Sequence, residues 1–428
     1  MHTPQQKLLD YRGAVALVIA NTIGTGVFTT SGFALADLGS QIWVLLAWLV
    51  GGIYALCGVV IYSDLAQHYP HSGGEYAFLR YTLHPALGTV AGWISLVAGF
   101  TSPIAAAALG AQLYFVRFMP LDAEQPWIAS IVIVLLGFLH GFFPREGVPL
   151  QNQAVLLKVV VILLFIVFGL IYLTEGNSGN ALSNMVTEPF SVLNFAGSLV
   201  WISFAYSGWN AAVYVTGEIE GGGKTVSRAL FSGTILVICL YLGVSAVILF
   251  SAPASELSGV ADSGAIAARA LAGSGSEKAL SALVALALMT SVSSMLISGP
   301  RVYAQMASDS VLPKIMGGFE NGHPKLAILA QTGVCLALVW LSGIRQLLEF
   351  AGICLSVSAG MVVIGWLRLV KQKIIQASLF KLLASCVFML ATLGIFLASL
   401  SMRQESLYAL FMLIGWGLLM HFFARARY

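Results

Sequence analysis

Three observations predict an all-α polytopic membrane protein with about twelve transmembrane helices. Of 428 residues, 58% are hydrophobic and only 9% charged, against about a quarter charged in a soluble domain. Apolar runs of roughly 18 or more residues, the length that crosses a bilayer as a helix, recur along the whole chain. Two of these runs, five spans apart, are interrupted near their centres. The same numbers exclude other classes. A net charge of +3 gives no reason to expect nucleic acid. The first apolar run is too long for a signal-peptide core and lacks a convincing cleavage site, so it is expected to stay in the mature protein. Cys57, Cys239, Cys335, Cys354 and Cys386 all fall in apolar runs without metal spacing, so no metal, cofactor or disulfide framework is expected.

The first span, 12–38, carries Asn21-Thr22-Ile23-Gly24-Thr25-Gly26-Val27-Phe28 at its middle. Gly24 and Gly26 each weaken a helix by about 1 kcal/mol relative to Ala. In lipid an unpaired backbone group costs several kcal/mol, so irregular backbone survives only around a ligand or a water-filled cavity. Ile23–Val27 is therefore expected to be an unwound hinge whose backbone binds something; on this segment alone, glycines used for close helix packing explain the pattern as well. The next spans are expected at 41–66, 85–118, 126–143 and 152–174, with Gly73–Leu83 as a short amphipathic helix on the cytoplasmic face and Thr174–Pro189 as an irregular outer loop. The sixth span, 192–218, repeats the anomaly at Phe204–Asn210. The rest are expected at 229–251, 277–307, 325–342, 346–368, 380–399 and 405–423, with a short helix over Ala261–Ala272 in the loop before the eighth.

Five is odd, so a second five-span copy enters the membrane from the opposite side to the first. The chain then reads as one transmembrane domain over 1–428: a repeat at 12–174, its inverted copy at 192–368, and two extra helices at 380–423. Interrupted segments at matching places in two such halves point to a transport site near the midplane. Twelve spans put both termini on one side. Of the 21 Lys and Arg residues, fifteen fall on that side and five on the other, with Lys158 inside a span. The termini are therefore expected to be cytoplasmic.

Helix ends suggest the chemistry. An unwound segment exposes N–H groups at the start of one half-helix and C=O groups at the end of the other, with opposite partial charges. Donors from Thr25, Gly26 and Val27 suit a carboxylate; carbonyls of Phe204, Ala205 and Ser207 suit an ammonium. Together they fit the zwitterionic end of an amino acid. Ile23 and Gly24 complete the first segment, and the small Ala205 and Gly208 leave room for a side chain. Lys158 is a cation inside a span, which marks a functional candidate; the alternative is a lysine snorkelling from about 9 Å below the span's start at Asn152. Ser291 and Ser294 share one face of the eighth span, where they either accept from Lys158, ligate a cation or simply pack. Asp64 and Glu218, near span ends, read as solvated surface groups, and His140 and His421 as interfacial. No acidic residue lies near either break in sequence, which favours a neutral substrate. Gly221-Gly222-Gly223-Lys224-Thr225 looks like the end of a phosphate loop, but Glu218 stands where its earlier glycine is required, so that pattern fails.

Several short stretches resemble, in order, those of the amino acid–polyamine–organocation superfamily, especially its bacterial amino acid permeases and its cationic and L-type branches. They are Gly24–Phe28, Ser72-Gly73-Gly74-Glu75-Tyr76, Phe204–Asn210 with Gly217-Glu218-Ile219, Gly299-Pro300-Arg301-Val302-Tyr303, and Asp309–Pro313 followed by His323-Pro324. The resemblance implies a leucine-transporter-type fold with helices 1 and 6 unwound, and alternating access. It implies carboxylate binding at Thr25 and Gly26, amino-group binding at the carbonyls of Phe204 and Ser207, and Phe204 as an aromatic gate. It further implies Lys158 in the place of a sodium ion, hence a sodium-independent proton symporter or amino acid exchanger in a plasma (bacterial inner) membrane. Two departures matter. Ile219-Glu220-Gly221-Gly222-Gly223-Lys224 replaces the family's usual acidic, Asn-Pro and basic sequence, which puts the gating role of that loop in doubt. Met119–Pro126 lacks the cysteine with which some L-type members join a glycoprotein, so no disulfide-linked heavy chain is expected. The rival readings are a polyamine or cationic amino acid transporter and, in another class, a membrane substrate sensor. An enzyme would need clustered acids, histidines or a metal set within the spans, and the sequence offers none.

Overall fold

The first apolar run folds as two helices, α1 (Tyr11–Thr22) and α2 (Gly26–Leu38), with residues 23–25 non-helical between them. The computed structural model describes residues 9–119, 124–177, 189–317 and 324–426, those at 144–154, 176–177 and 425–426 by backbone alone. Asp10 opens α1 by accepting from Gly13 N at 2.8 Å, a side-chain N-cap. The chain continues through α3 (Gln41–His68), α4 (Gly74–Thr82), α5 (Pro85–Phe118, π-helical over Ser95–Thr101), α6 (Trp127–Phe142) and α7 (Pro144–Tyr172). The sixth apolar run is again split, into α8 (Val192–Tyr206) and a 3-10 segment, Ala211–Glu218. Then come α9 (Gly222–Ser251), α10 (Ala254–Leu257), α11 (Ser263–Ser308), α12 (Lys325–Leu341), α13 (Ile344–Lys371), α14 (Leu379–Met402) and α15 (Gln404–Ala426). Among the described residues the only β pairing is an isolated bridge of Leu9 with Ile219.

Nine stretches among the described residues are long and apolar enough to cross a membrane, and α6 and α12 are shorter apolar helices of 16 and 17 residues. Burial sorts them. α11 turns most of its length inward, whereas α7 exposes Leu156, Leu157, Val160, Leu163, Leu164, Val167 and Phe168 on one side while burying Lys158 and Ile162 on the other. A one-sided apolar stripe of this kind in a polytopic protein faces lipid.

Several boundaries differ from the sequence reading. Val27 is helical, so the first break is shorter than the expected 23–27. α7 begins at Pro144 and not at 152, because a polar first turn can be helical without being apolar. Lys158 then lies about 21 Å from the helix start, at roughly 1.5 Å per residue, and it points inward, 2% exposed, and not along the helix toward an interface. The helix expected over Ala261–Ala272 is the first part of α11, which kinks at Ala272 and Gly273. α4 is not a helix resting on the surface: Glu75, Tyr76, Phe78 and Leu79 are all buried, and Tyr81 is the exposed side. Most of the outer loop expected over Thr174–Pro189 lies outside the described residues.

Four of the bundle's ends are tied by one arginine. Arg403, in the turn between α14 and α15, has a side chain 3% exposed and binds Asp37 of α2 at 2.7 Å and Glu349 of α13. Its guanidinium also lies 4.3 Å from the centre of the Trp201 ring of α8, and Trp201 donates to the same Asp37 at 2.8 Å. Removing one partner of a buried ion pair typically costs 3–5 kcal/mol. Arg403→Ala is expected to destabilise the protein by about that much, and Arg403→Lys to recover only part, since an ammonium cannot reproduce the planar fork. Thermal unfolding in detergent checks this; an unchanged midpoint in Arg403→Ala would contradict it.

Candidate functional site

The two breaks touch. A Cβ on Gly26 would stand 2.5 Å from Ala205 Cα, and one on Gly208 would stand 2.6 Å from the carbonyl oxygen of Asn21. Gly208 also has φ +98°, a conformation that side chains resist. These two glycines therefore let the unwound parts of the first and sixth runs lie backbone to backbone. Tyr241 of α9 stands across both: its hydroxyl is 2.6 Å from the Thr22 carbonyl and 3.1 Å from the Ala205 carbonyl.

The end of α1 carries a cation. The Lys158 ammonium donates to the Ile23 carbonyl and to Ser291 Oγ, each at 2.8 Å, and Ser291 donates to the same Ile23 carbonyl at 2.9 Å. Lys158 is 2% exposed. A buried charge is tolerated only when paired and hydrogen-bonded. Here the pairing is with the carbonyl end of a half-helix, which carries partial negative charge. Ser294 does not join Lys158: it accepts from Asn21 Nδ2 at 3.1 Å, and Ser298 donates to Asn21 Oδ1 at 3.1 Å. Of the alternatives open for the two serines, accepting from Lys158 applies to Ser291 and not to Ser294. One fixes the Ile23 carbonyl and the other, with Ser298, fixes the side chain two residues before it.

At the start of α2 the described bonds to the break are Phe28 N and Thr29 N to the Thr25 carbonyl, at 3.0 and 3.1 Å. The first N–H groups of a helix have no partner within it. Those of Gly26 and Val27 are in that position. At the sixth break the Phe204 carbonyl already accepts from Ser207 N at 2.8 Å, which leaves one lone pair for another donor.

A cavity lies between the breaks. Gly24, Thr25 and Gly26 line it from the first break, and Phe204, Ala205, Ser207 and Gly208 from the sixth. Ile23 does not line it, since its carbonyl is turned to Lys158 and Ser291. Met295, Leu355, Phe100 and Pro103 make an apolar side, with Ser203, Ser356 and Tyr54 as neutral polar groups.

One lining residue contradicts the sequence reading. Glu75 of α4 reaches the cavity, so an acidic group does stand beside the sixth break. Its carboxylate accepts from Tyr62 at 3.0 Å and from Asn210 and Tyr214. Asp64 and Glu218 are not free surface groups either: Asp64 pairs with Lys381 at 2.6 Å and Glu218 with Arg301 at 3.0 Å. His140 is buried against Ser293, at 2.7 Å, and is not interfacial. Sequence reasoning gave no role to Asn21, Ser298, Tyr241 or Glu75. Ser298 alone had a usable signal, because 291, 294 and 298 follow the i, i+3, i+7 spacing of one helix face.

The profile of the family described as "Amino acid permease" matches residues 9–423. The chain is 27% identical over 365 residues to the serine/threonine exchanger SteT of Bacillus subtilis (strain 168), covering 82% of this chain and 81% of that protein. It is 24% identical over 379 residues to the large neutral amino acids transporter small subunit 2 of Homo sapiens, covering 84% and 69%. It is 25% identical over 245 residues to the b(0,+)-type amino acid transporter 1 of Mus musculus, covering 56% and 50%.

Proposed function

This chain belongs to the amino acid permease family, and from that premise we propose that it moves neutral amino acids across a plasma membrane by alternating access, without sodium. The observation that carries the reading is the meeting of the two breaks at one cavity. The bare N–H groups at the start of α2 and the carbonyls at the end of α8 offer opposite partial charges to one ligand. The carboxylate of the substrate goes to Thr25 and Gly26, and its amino group to the free lone pairs of Phe204 and Ser207. Phe204 covers it as the gate. Lys158 and Ser291 hold the Ile23 carbonyl where a sodium ion would otherwise be needed.

The reading counts twelve spans by adding α6, α12 and the split sixth run to the nine long stretches. Residues 12–174 and 192–368 are then inverted copies, 380–423 an addition, and both termini cytoplasmic. A neutral substrate is supported by the apolar and uncharged side of the cavity and by the names of two relatives, a serine/threonine exchanger and a large neutral amino acids transporter. Glu75 favours a second reading, a cationic substrate. Its carboxylate already accepts three hydrogen bonds from the protein, which leaves little for a ligand, so the neutral reading is preferred. The lack of a cysteine in Met119–Pro126 argues against a disulfide-linked partner, and the names of the relatives, an exchanger and a transporter, argue against an enzyme.

Flux of radiolabelled amino acids into proteoliposomes tests this. Labelled serine, threonine or leucine is expected to enter equally well in sodium and in choline medium, driven by a proton gradient or by unlabelled amino acid inside, and excess lysine is expected not to compete. Sodium-dependent entry, or competition by lysine as strong as by serine, would overturn the respective part of the proposal.

A further inference from the structure

Ser72, Gly73 and Glu75 dock on the second half of the sixth run. Ser72 Oγ accepts from Gly217 N at 3.0 Å, Gly73 N donates to the Tyr214 carbonyl at 3.2 Å, and the Glu75 carboxylate accepts from Asn210 and Tyr214. Tyr62 of α3 adds a third donor to Glu75 at 3.0 Å. These bonds form a seam beside the cavity, which Glu75, Asn210 and Tyr214 line, and Glu75 is the acid within it. The seam lies on the side of the bridge between Leu9 and Ile219, which the proposed topology makes cytoplasmic.

Glu75 is 3% exposed, and among the described residues no Lys, Arg or His forms an ion pair with it. The charged groups of the surrounding elements are engaged elsewhere. On α3, Asp64 pairs with Lys381, and His68 Nδ1 lies on the Asp64 carbonyl. On α4, Arg80 pairs with Asp309. Glu218 of the 3-10 segment pairs with Arg301 of α11. Arg368 of α13 donates to the carbonyls of Thr82 and Leu83, at the far end of α4. Every donor that reaches Glu75 is neutral, and two of the three are hydroxyls. A hydroxyl donates or accepts, so one of Tyr62 and Tyr214 can turn from donor to a carboxylate into acceptor of the single O–H of a carboxylic acid, while the other goes on donating, without any side chain moving. The Glu75 carboxyl therefore keeps neutral hydrogen-bond partners in both protonation states, which a site built on Arg or Lys does not offer.

We propose that Glu75 is a proton-binding site of the transport cycle, loaded through the cavity while the seam is closed and emptied to the cytoplasm when the seam opens. The inference rests on the transport reading and identifies the group through which a proton gradient acts on it. Burial holds the Glu75 carboxyl above the usual carboxylate range, with the hydrogen bonds from Tyr214, Tyr62 and Asn210 pulling it back. Opening the seam wets the carboxyl and removes Asn210 and Tyr214 together. The desolvation that favours the bound proton then ends.

The test uses the full-length protein reconstituted in liposomes, as wild type, Glu75→Gln and Tyr214→Phe. Infrared difference spectra against pH read the protonated carboxyl directly. A band that grows as pH falls is expected in wild type and missing in Glu75→Gln. Tyr214→Phe removes a donor to the charged form, so its titration is expected to move to higher pH by roughly one to two units. Amino acid flux is then measured with and without an inward proton gradient: wild type is expected to respond up to about tenfold per pH unit, following the protonated fraction, and Glu75→Gln not to respond, whatever the size of its flux. A band that survives in Glu75→Gln, an unmoved titration in Tyr214→Phe, or a Glu75→Gln flux that follows the gradient as wild type does would each overturn the assignment. If wild type moves no amino acid at all, the transport reading falls and the coupling with it, whereas the infrared titration still decides whether Glu75 binds the proton.

Discussion

A Lys158→Ala protein is expected to fold and to lose amino acid flux by a hundredfold or more. The ammonium is one of two donors to the Ile23 carbonyl, the other being Ser291. Its removal takes the compensating charge from the end of α1, just ahead of Gly24, Thr25 and Gly26. Stability is expected to move little, because two terms oppose each other. The alanine protein no longer buries a cation, which favours folding, while the Ile23 carbonyl keeps Ser291 and is not left without a donor. Transport has no such compensation. The position of the break is set by what holds its carbonyl end, and a displacement of about 1 Å at a site that orients a ligand can cost about a hundredfold in rate. Lys158→Gln keeps a donor without the charge and is expected to fall between the two. The proposed role of Lys158 in the place of a cation also predicts that wild-type flux is the same in sodium and in choline medium. Normal flux in Lys158→Ala, or sodium dependence in wild type, would remove Lys158 from the mechanism.

What the sequence revealed follows from how conspicuous each feature is in an apolar run. Gly-Thr-Gly and a lysine have few inexpensive explanations there, so Gly24, Gly26 and Lys158 stood out. Ser291 and Ser294 stood out as a pair because spacing fixes a face, but spacing does not fix height. Three residues advance a helix by about 4.5 Å, enough to put Ser294 beside Asn21 while Ser291 reaches Ile23. The start of α7 was hidden because hydropathy marks the apolar part of a helix and not its polar first turns. Pro144, a residue suited to a first helical position, was the available cue. Glu75 was hidden for a different reason. It lies 135 residues from Asn210 in sequence, on a short segment whose amphipathic pattern suits a helix on the cytoplasmic face. Only the docking of α4 on the sixth run, a tertiary event, turns that residue into a cavity wall, and with it falls the argument for a neutral substrate from a missing acid.

Gly26→Ala is expected to abolish flux, with an effect as large as that of Lys158→Ala but of steric origin. The added Cβ would lie 2.5 Å from Ala205 Cα and 2.6 Å from Ala205 Cβ. A conflict with the end of a flexible side chain could be relieved by a rotation, but a conflict with a Cα moves backbone. Overpacking of this kind costs typically 1–3 kcal/mol, which a protein of this size can survive, so a folded but inactive protein is expected by size-exclusion chromatography and thermal unfolding. Gly26→Ala combined with Ala205→Gly separates the two contacts. The second substitution removes the Cβ but leaves the Cα, so the double variant is expected to stay inactive. Recovery would mean that side-chain bulk, and not the approach of the two backbones, sets the site. Gly333→Ala, where a Cβ meets nothing within 4 Å, is the control for helix glycines in general and is expected to transport normally. Gly24→Ala completes the argument. Its nearest contact would be the Thr22 carbonyl oxygen at 4.0 Å, so packing gives it no reason to fail. Flux lost in Gly24→Ala would therefore report that the ligand itself needs bare backbone at that position, and flux retained would confine the carboxylate to Thr25 and Gly26.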